Sequence, residues 1–296
     1  MDQKARNTGI LYLFLTFFMW GSVYVAGKLG SAQMSPFLLA ALRCTIAAPV
    51  LLLMARKHLR IKLDRADVKY FIAIGVLGYY MTIDLVQLGI HLTGASMAAL
   101  VNSFNPVAIM LLAAVLLRER ITPVKLLCLA LAVAGTVIVA GGAHGQSELL
   151  GILATLLATV TWGAASVFVR KLTAKYPAIL VTAYGMVLSL PLHFPTGLIA
   201  ALRQPPRIDL GGVLTVLYLG VIGSAMSQIT WAKALSQFPA STCSLFYPLQ
   251  AVFSALLGAI ILHERFTTSF FIGLLLVAAD VALSTRATRR EAEAAQ

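Results

Sequence analysis

The sequence predicts an all-α integral membrane protein with ten transmembrane helices, built as two inverted five-helix repeats. Three observations carry that prediction. First, of 296 residues 59% are apolar and 11% charged, with a mean hydropathy of +0.88. A soluble domain carries about 25% charged residues. One soluble core cannot bury so much apolar surface, which excludes a soluble enzyme, and the low polarity excludes a disordered chain. Second, the apolar residues gather into ten runs, each close to the ~20 residues that cross a bilayer as a helix. Third, the second half of the chain repeats the first at a nearly constant offset.

Span one covers about residues 9–29, after Lys4 and Arg6. It is too long for a signal-peptide core and ends without a small-x-small cleavage pattern, so it reads as a retained span. Spans two to five fall near 35–55, 68–90, 95–117 and 122–140. Spans six to ten fall near 148–169, 177–201, 211–234, 240–262 and 268–285. None shows the alternating polarity of a barrel strand. Apart from the basic linker Arg56 to Asp67, the loops are short, which makes consecutive helices antiparallel neighbours. Cys44, Cys128 and Cys243 sit inside apolar runs as small fillers. Their spacing matches neither a metal site nor a disulfide framework, and no metal or other cofactor is expected.

The net charge of +12 is a topology signal and not a nucleic-acid footprint. With the N-terminus in the cytoplasm, eighteen of the 23 Lys and Arg fall inside, and Lys28, Arg203, Arg207 and Arg265 fall outside. Arg43 lies within a span. This positive-inside bias predicts a multi-pass inner (plasma) membrane protein with both termini cytoplasmic.

The repeat is read by self-comparison. Leu112–Thr122, which closes span four in Arg118-Glu119-Arg120-Ile121-Thr122, matches Leu257–Thr267 at six of eleven positions with an offset of 145. The same offset pairs Ala95-Ser96 with Ala240-Ser241, Leu100 with Leu245, Gly75 with Gly220 and Gly78 with Gly223. At 142, Trp20-Gly21 pairs with Trp162-Gly163. The repeats are therefore 1–145 and 146–296. A unit of five spans is odd, so the second copy must lie upside down in the bilayer. That is the design of secondary transporters with a substrate site near the midplane.

These features resemble one family. Ten spans in two repeats, Trp-Gly in spans one and six, and an apolar run closing in Arg-Glu-Arg-Ile-Thr are similar to the EamA-type exporters of the drug/metabolite transporter superfamily. Gly89 to Ser96 and on through Asn105-Pro106 to Glu119 is similar to that family's spans three and four, and the resemblance covers nearly the whole chain. Ala251 departs from it, standing where the second repeat usually has a proline, with Pro248 three residues earlier. Asp280 departs too, aligning with Gly135. The resemblance implies export of amino acids or related metabolites, and is narrowest to the aromatic and broad-range amino-acid exporters of the YddG type.

An ionisable group at the centre of a span costs about 2.5–3.5 kcal/mol on insertion scales. Asp84 is the leading functional candidate. Tyr80, Asp84, Gln87 and His91 recur at helical spacing along one face of span three, and a structural pair between Asp84 and Arg43 is the alternative. Arg43 reads as an anchor between helices or as snorkelling outward, and Asp280 as a packing partner. Asn102 and Asn105 align with Tyr247 and Gln250 at offset 145, as though one cavity were lined from both repeats. Ser224, Gln228 and Trp231 form a stripe on span eight. Trp20, Tyr24 and Trp162 lie mid-span, away from the interfacial aromatic belts. The expected substrate-binding set is Trp20, Tyr24, Tyr80, Asp84, Asn102, Trp162, Gln228, Trp231 and Tyr247. Aromatic faces would hold a side chain, and the amides and Asp84 would hold a zwitterion. Pro106 and Pro248 remove backbone bonds inside spans four and nine and are the expected hinges. Glu119 and Glu264, beside arginines at span ends, read as ion pairs.

Competing classes fare worse. His263-Glu264-Arg265 lacks the second histidine of a zinc motif, and there is no P-loop. No carbonyl-filter sequence or ring-forming charged helix suggests a channel. A multidrug or quaternary-cation carrier and a nucleotide-sugar carrier stay open as alternatives. The first is weakened by a span one without a carboxylate, the second by few basic residues within spans. The expected partners are a small-molecule substrate and the lipid bilayer. Because both halves are fused in one chain, a functional monomer is expected.

Overall fold

The computed structural model describes residues 3–116, 146–207, 209–244 and 246–264, with single positions between 123 and 134 and between 268 and 279. The described residues form helices and turns, with no strand among them. Eight helices are long and apolar enough to cross a membrane: Asn7–Ser31, Pro36–Ala55, Arg65–Thr93, Ala95–Leu116, Gln146–Thr173, Ala178–Arg203, Leu210–Gln237 and Thr242–Ile261. They fall on spans one to four and six to nine. Apart from those single positions, spans five and ten lie outside the described residues, as do Glu119 and Asp280.

The packing is that of a protein in lipid. Leu150, Leu153, Leu157 and Val160 recur every three or four residues along span six and are all exposed, as are Leu11, Phe14 and Phe18 on span one. The polar residues are turned inward instead, with Thr16, Thr82, Gln87, Thr155 and Ser224 all buried. Hydrocarbon tails supply no hydrogen bonds, so these groups bond between helices or, as Thr155 does to Gly151 O, back onto their own helix. Thr16 Oγ1 donates to Thr230 Oγ1 at 2.7 Å, and Gln87 Nε2 donates to Gly27 O and Ser31 Oγ, both at 3.0 Å.

Span ends are capped by sequence. Ser35 accepts from Leu38 N at 3.2 Å with Pro36 at the first helical position, where the missing amide costs nothing. Asp209 accepts from Gly212 N at 2.8 Å to start span eight. Gly94 alone joins the helix ending at Thr93 to the one starting at Ala95, with φ +94. That reversal needs the left-handed region open to glycine.

Two internal irregularities shape the bundle. Spans three and eight each contain a π-helical segment, Ile74–Met81 and Val221–Met226. The paired glycines Gly75, Gly78, Gly220 and Gly223 lie in or beside these segments, which insert an extra residue per turn and recur at functional sites. Spans four and nine are each interrupted just before a proline. Span four breaks at Ser103-Phe104 between Ala95–Asn102 and Asn105–Leu116, and span nine breaks between Ala240–Ser244 and Pro248–Ile261. In a continuous helix Asn102 O would accept from the amide four residues on, which is Pro106 and has no N–H. Asn105 Nδ2 takes its place, donating to Asn102 O at 2.8 Å and to Asn102 Oδ1 at 2.7 Å.

Span nine ends with His263 at φ 52 and Glu264 N donating back to Gly258 O at 3.2 Å, a left-handed stop that folds the chain back over the last turn of the helix. The stop aims Glu264 at span four. Its carboxylate accepts from Ala95 N at 3.0 Å, from Ser96 N at 3.3 Å and from the Ser96 hydroxyl. Glu264 is therefore a helix cap; the ion pairs expected of Glu264 with Arg265 and of Glu119 with its neighbouring arginines lie outside the described residues.

Candidate functional site

Four helices bring five rings together. Trp20 lies 5.5 Å from Trp162, 5.3 Å from Trp231 and 5.7 Å from Tyr247 between ring centroids. Phe17 lies 4.9 Å from Tyr247. Trp162 Nε1 donates to the Tyr247 hydroxyl. The rings come from spans one, six, eight and nine, and they meet edge-to-face or tilted, as their quadrupoles favour.

Beside the rings is a cavity of about 60 Å³ lined by Trp20, Tyr24, Asn102, Trp162, Gln228 and Tyr247, with Arg43, Thr82 and Gln250. Six of the nine expected residues thus share one cavity. Trp231, 1% exposed, packs behind it in the ring cluster. Tyr80 and Asp84 are placed elsewhere. They line a larger space of about 480 Å³ between spans two, three and seven, with His91, Thr196 and Arg203. Thr82 and Ile83 face the ring cavity while Tyr80 and Asp84 face the second space, so one short stretch of span three touches both. Pro106 and Pro248 are buried beside the two helix breaks.

Arg43 neither snorkels nor pairs with Asp84. It is 5% exposed, and it donates through Nε to Ser224 Oγ at 2.8 Å and through Nη2 to Gly223 O at 3.3 Å. Those bonds tie it to the π-helical segment of span eight and use two of its five N–H donors. Among the described residues no carboxylate lies within ion-pair distance of it. A buried cation without a counter-ion is costly, and an anionic group brought beside it would offset that cost. Gln228 Oε1, Gln250 Nε2 and Trp231 Nε1 are buried without a hydrogen-bond partner. Acceptor and donor groups are therefore both available around the rings. Tyr24 and Asn102 line the same cavity.

Asp84 faces a residue that sequence reasoning missed. His193 Nδ1 lies 3.5 Å from Asp84 Oδ1, and His193 Nε2 lies 2.9 Å from Tyr79 O. Tyr80 packs edge-on against the imidazole at 5.2 Å. The signal was present: His193 is a titratable residue inside span seven, flanked by Pro191 and Pro195. Gln250 was noted only as the counterpart of Asn105, and its position in the cavity follows from the break at Tyr247 that re-aims the second half of span nine.

Comparison with known proteins bears on what this cavity serves. The model of the EamA-like transporter family matches residues 7–141 and 149–286. An uncharacterized transporter of Archaeoglobus fulgidus is 29% identical, over 87% of this chain and 91% of its own. A probable amino-acid metabolite efflux pump of Escherichia coli K12 is 26% identical, over 92% of this chain and 93% of its own. An S-adenosylmethionine/S-adenosylhomocysteine transporter of Chlamydia muridarum is 27% identical, over 87% and 85%. One protein crystal structure shares the fold with a TM-score of 0.72 at 22% identity, covering 94% of this chain and 98% of that one.

Proposed function

The chain belongs to the EamA-like transporter family, and from that premise we propose that it exports neutral amino acids, aromatic ones among them, or closely related small metabolites by alternating access. It is a multi-pass membrane transporter of a small molecule. The narrower reading rests on one observation: a ring-lined cavity bordered by a buried guanidinium that has no carboxylate partner among the described residues. Arg43 would take the substrate carboxylate, with the charge-assisted geometry that arginine favours. Trp20, Tyr24, Trp162 and Tyr247 would cover the side chain. Gln228, Gln250 and Asn102 would take the remaining polar atoms.

At about 60 Å³ the cavity holds a few ordered waters, so an amino acid enters only when the helices around it move. We propose ten spans, the eight described here with two more near 122–140 and 268–285. They divide into inverted halves 1–145 and 146–296, with both termini in the cytoplasm and the chain in the inner membrane. Rocking between the halves would bend spans four and nine at Pro106 and Pro248, where the backbone ladder is already interrupted. The efflux-pump name of the Escherichia coli relative supports the direction of transport.

The test is counterflow in proteoliposomes with labelled phenylalanine, leucine, S-adenosylmethionine and a quaternary ammonium compound. Saturable counterflow of the neutral amino acids, reduced at least about tenfold by Trp162→Ala, is the expected result. Exchange of only the quaternary compound or S-adenosylmethionine would replace the substrate reading. Non-saturable flux would replace the carrier reading with a pore.

A further inference from the structure

We propose that Asp84 and His193 hold one shared proton and couple transport to a proton gradient, so that export is proton–substrate exchange. The proposal rests on the transporter reading above and adds the driving ion to it.

The geometry has room for one proton between the two groups. A backbone carbonyl only accepts, so His193 Nε2, 2.9 Å from Tyr79 O, carries a hydrogen. His193 Nδ1 then faces Asp84 Oδ1 at 3.5 Å. Both atoms are buried and neither makes a hydrogen bond, with the other or with any other group. An ionised carboxylate against a bare imidazole nitrogen would set two lone pairs together in a low dielectric, a cost that one proton between them removes. A neutral acid facing a neutral imidazole and a carboxylate facing an imidazolium contain the same single proton and the same zero net charge. In this structure the two atoms face each other 3.5 Å apart, a short approach from sharing that proton.

The surroundings supply an exit and a transmission. Asp84 borders the 480 Å³ space that also holds His91, Thr196 and Arg203, so a carboxylate that loses its proton can turn toward water there. The groups around the pair come from three helices. Span two contributes Arg43, a buried cation, and Cys44. Span three contributes Tyr79, Tyr80 and His91, whose carbonyl accepts from Lys28 Nζ of span one at 3.2 Å. Span seven contributes Arg203. Arg43 and Arg203 are the cations on the helices packed around the pair. The pair also ties the Tyr79–Asp84 stretch to span seven, and that stretch carries Thr82 and Ile83 of the ring cavity. A loaded pair therefore accompanies the contracted cavity. Proton release frees the stretch, widens the cavity and admits substrate, which makes proton and substrate alternate occupants.

The experiment uses the full chain in proteoliposomes with the amino acid that gives the strongest counterflow. An imposed pH gradient, acid on the side opposite the substrate's starting side, should drive its accumulation severalfold above the equilibrium level in the parent. His193→Gln should keep counterflow within about twofold of the parent, because the glutamine amide still donates to Tyr79 O, and should accumulate nothing. Asp84→Asn should likewise accumulate nothing. Parent accumulation indifferent to the gradient, or gradient-driven accumulation in both variants, overturns the proposal. If the parent carries no member of the panel, the transporter reading fails by itself. The pair is then decided by nitrogen NMR of His193 in the purified protein. A single-proton step at Nδ1 that disappears in Asp84→Asn supports the shared proton, and a step unchanged by that substitution overturns it.

Discussion

Glu264→Ala is the sharpest test of how the molecule closes at one end. The carboxylate accepts from Ala95 N, Ser96 N and the Ser96 hydroxyl, so it both caps span four and clamps it to span nine. Hydrogen bonds to a charged group contribute about 1.5–3 kcal/mol each, and a negative charge at a helix N-terminus adds about 0.3–1 kcal/mol. The three bonds share one partly exposed carboxylate and do not add in full, so about 2–3 kcal/mol is the expected sum. At 1.4 kcal/mol per factor of ten, removing it shifts the closed–open equilibrium at that end about 30- to 150-fold. Glu264→Gln keeps one acceptor oxygen and loses the charge, and should shift it about tenfold. The assay is the thiol-modification rate of a cysteine placed at Ala99, which is buried one turn below the clamp, in a background with Cys44, Cys128 and Cys243 replaced. The rate should rise in the order parent, Gln, Ala. A rate within about twofold of the parent in Glu264→Ala would show that the contact does not hold this end closed.

Three further outcomes are expected. Asn105→Leu should destabilise the protein by about 1–3 kcal/mol, because Asn102 O loses the donor that stands in for the Pro106 amide; Pro106→Ala restores that amide, so in thermal unfolding the double variant should be less destabilised than the sum of the two single ones. Asp209 is held below the ordinary carboxylate range by the Gly212 amide and then by Gln33, so its cap is present above the unfolded value near pH ~4 and is lost as pH falls through the lower folded value. Hydrogen exchange at Gly212, corrected for the intrinsic rate, should lose protection over that window in the parent, while Asp209→Asn should show no such pH dependence. A mass measurement of the solubilised, active protein should give a monomer, and activity confined to a dimer would refute the fused-halves argument.

Much of this architecture was legible in the sequence, and the exceptions share a cause. Hydropathy located the eight described spans because a bilayer imposes length and apolarity on every helix that crosses it. The 145-residue offset also pointed to the glycine pairs at which spans three and eight become π-helical. Helical spacing placed Tyr80, Asp84, Gln87 and His91 on one face of span three, yet it does not say which helix that face meets. Asp84 therefore had Arg43 as its candidate partner and has His193 instead, a residue on a helix more than a hundred positions away. Arg43 was legible as an anchor between helices, but its bond to Ser224 depends on how span two is rotated against span eight. Glu264 sits beside Arg265 in the chain, but a left-handed residue at His263 turns it toward span four. Contacts of this kind are set by rotation and register between helices, which a periodicity within one helix leaves open.

The central claim is that the ring cavity binds an amino acid through Arg43. The chain has three tryptophans, and all three, Trp20, Trp162 and Trp231, stand in the ring cluster, so its intrinsic tryptophan fluorescence reports on this site alone. Titration of the purified protein with leucine and phenylalanine should change that emission saturably. The corresponding amides, which lack the carboxylate, should bind about 10- to 100-fold more weakly, matching the loss of hydrogen bonds to a charged group, and Arg43→Gln should erase the difference. Emission unmoved by any amino acid, or equal binding of acid and amide to the parent, would contradict the account.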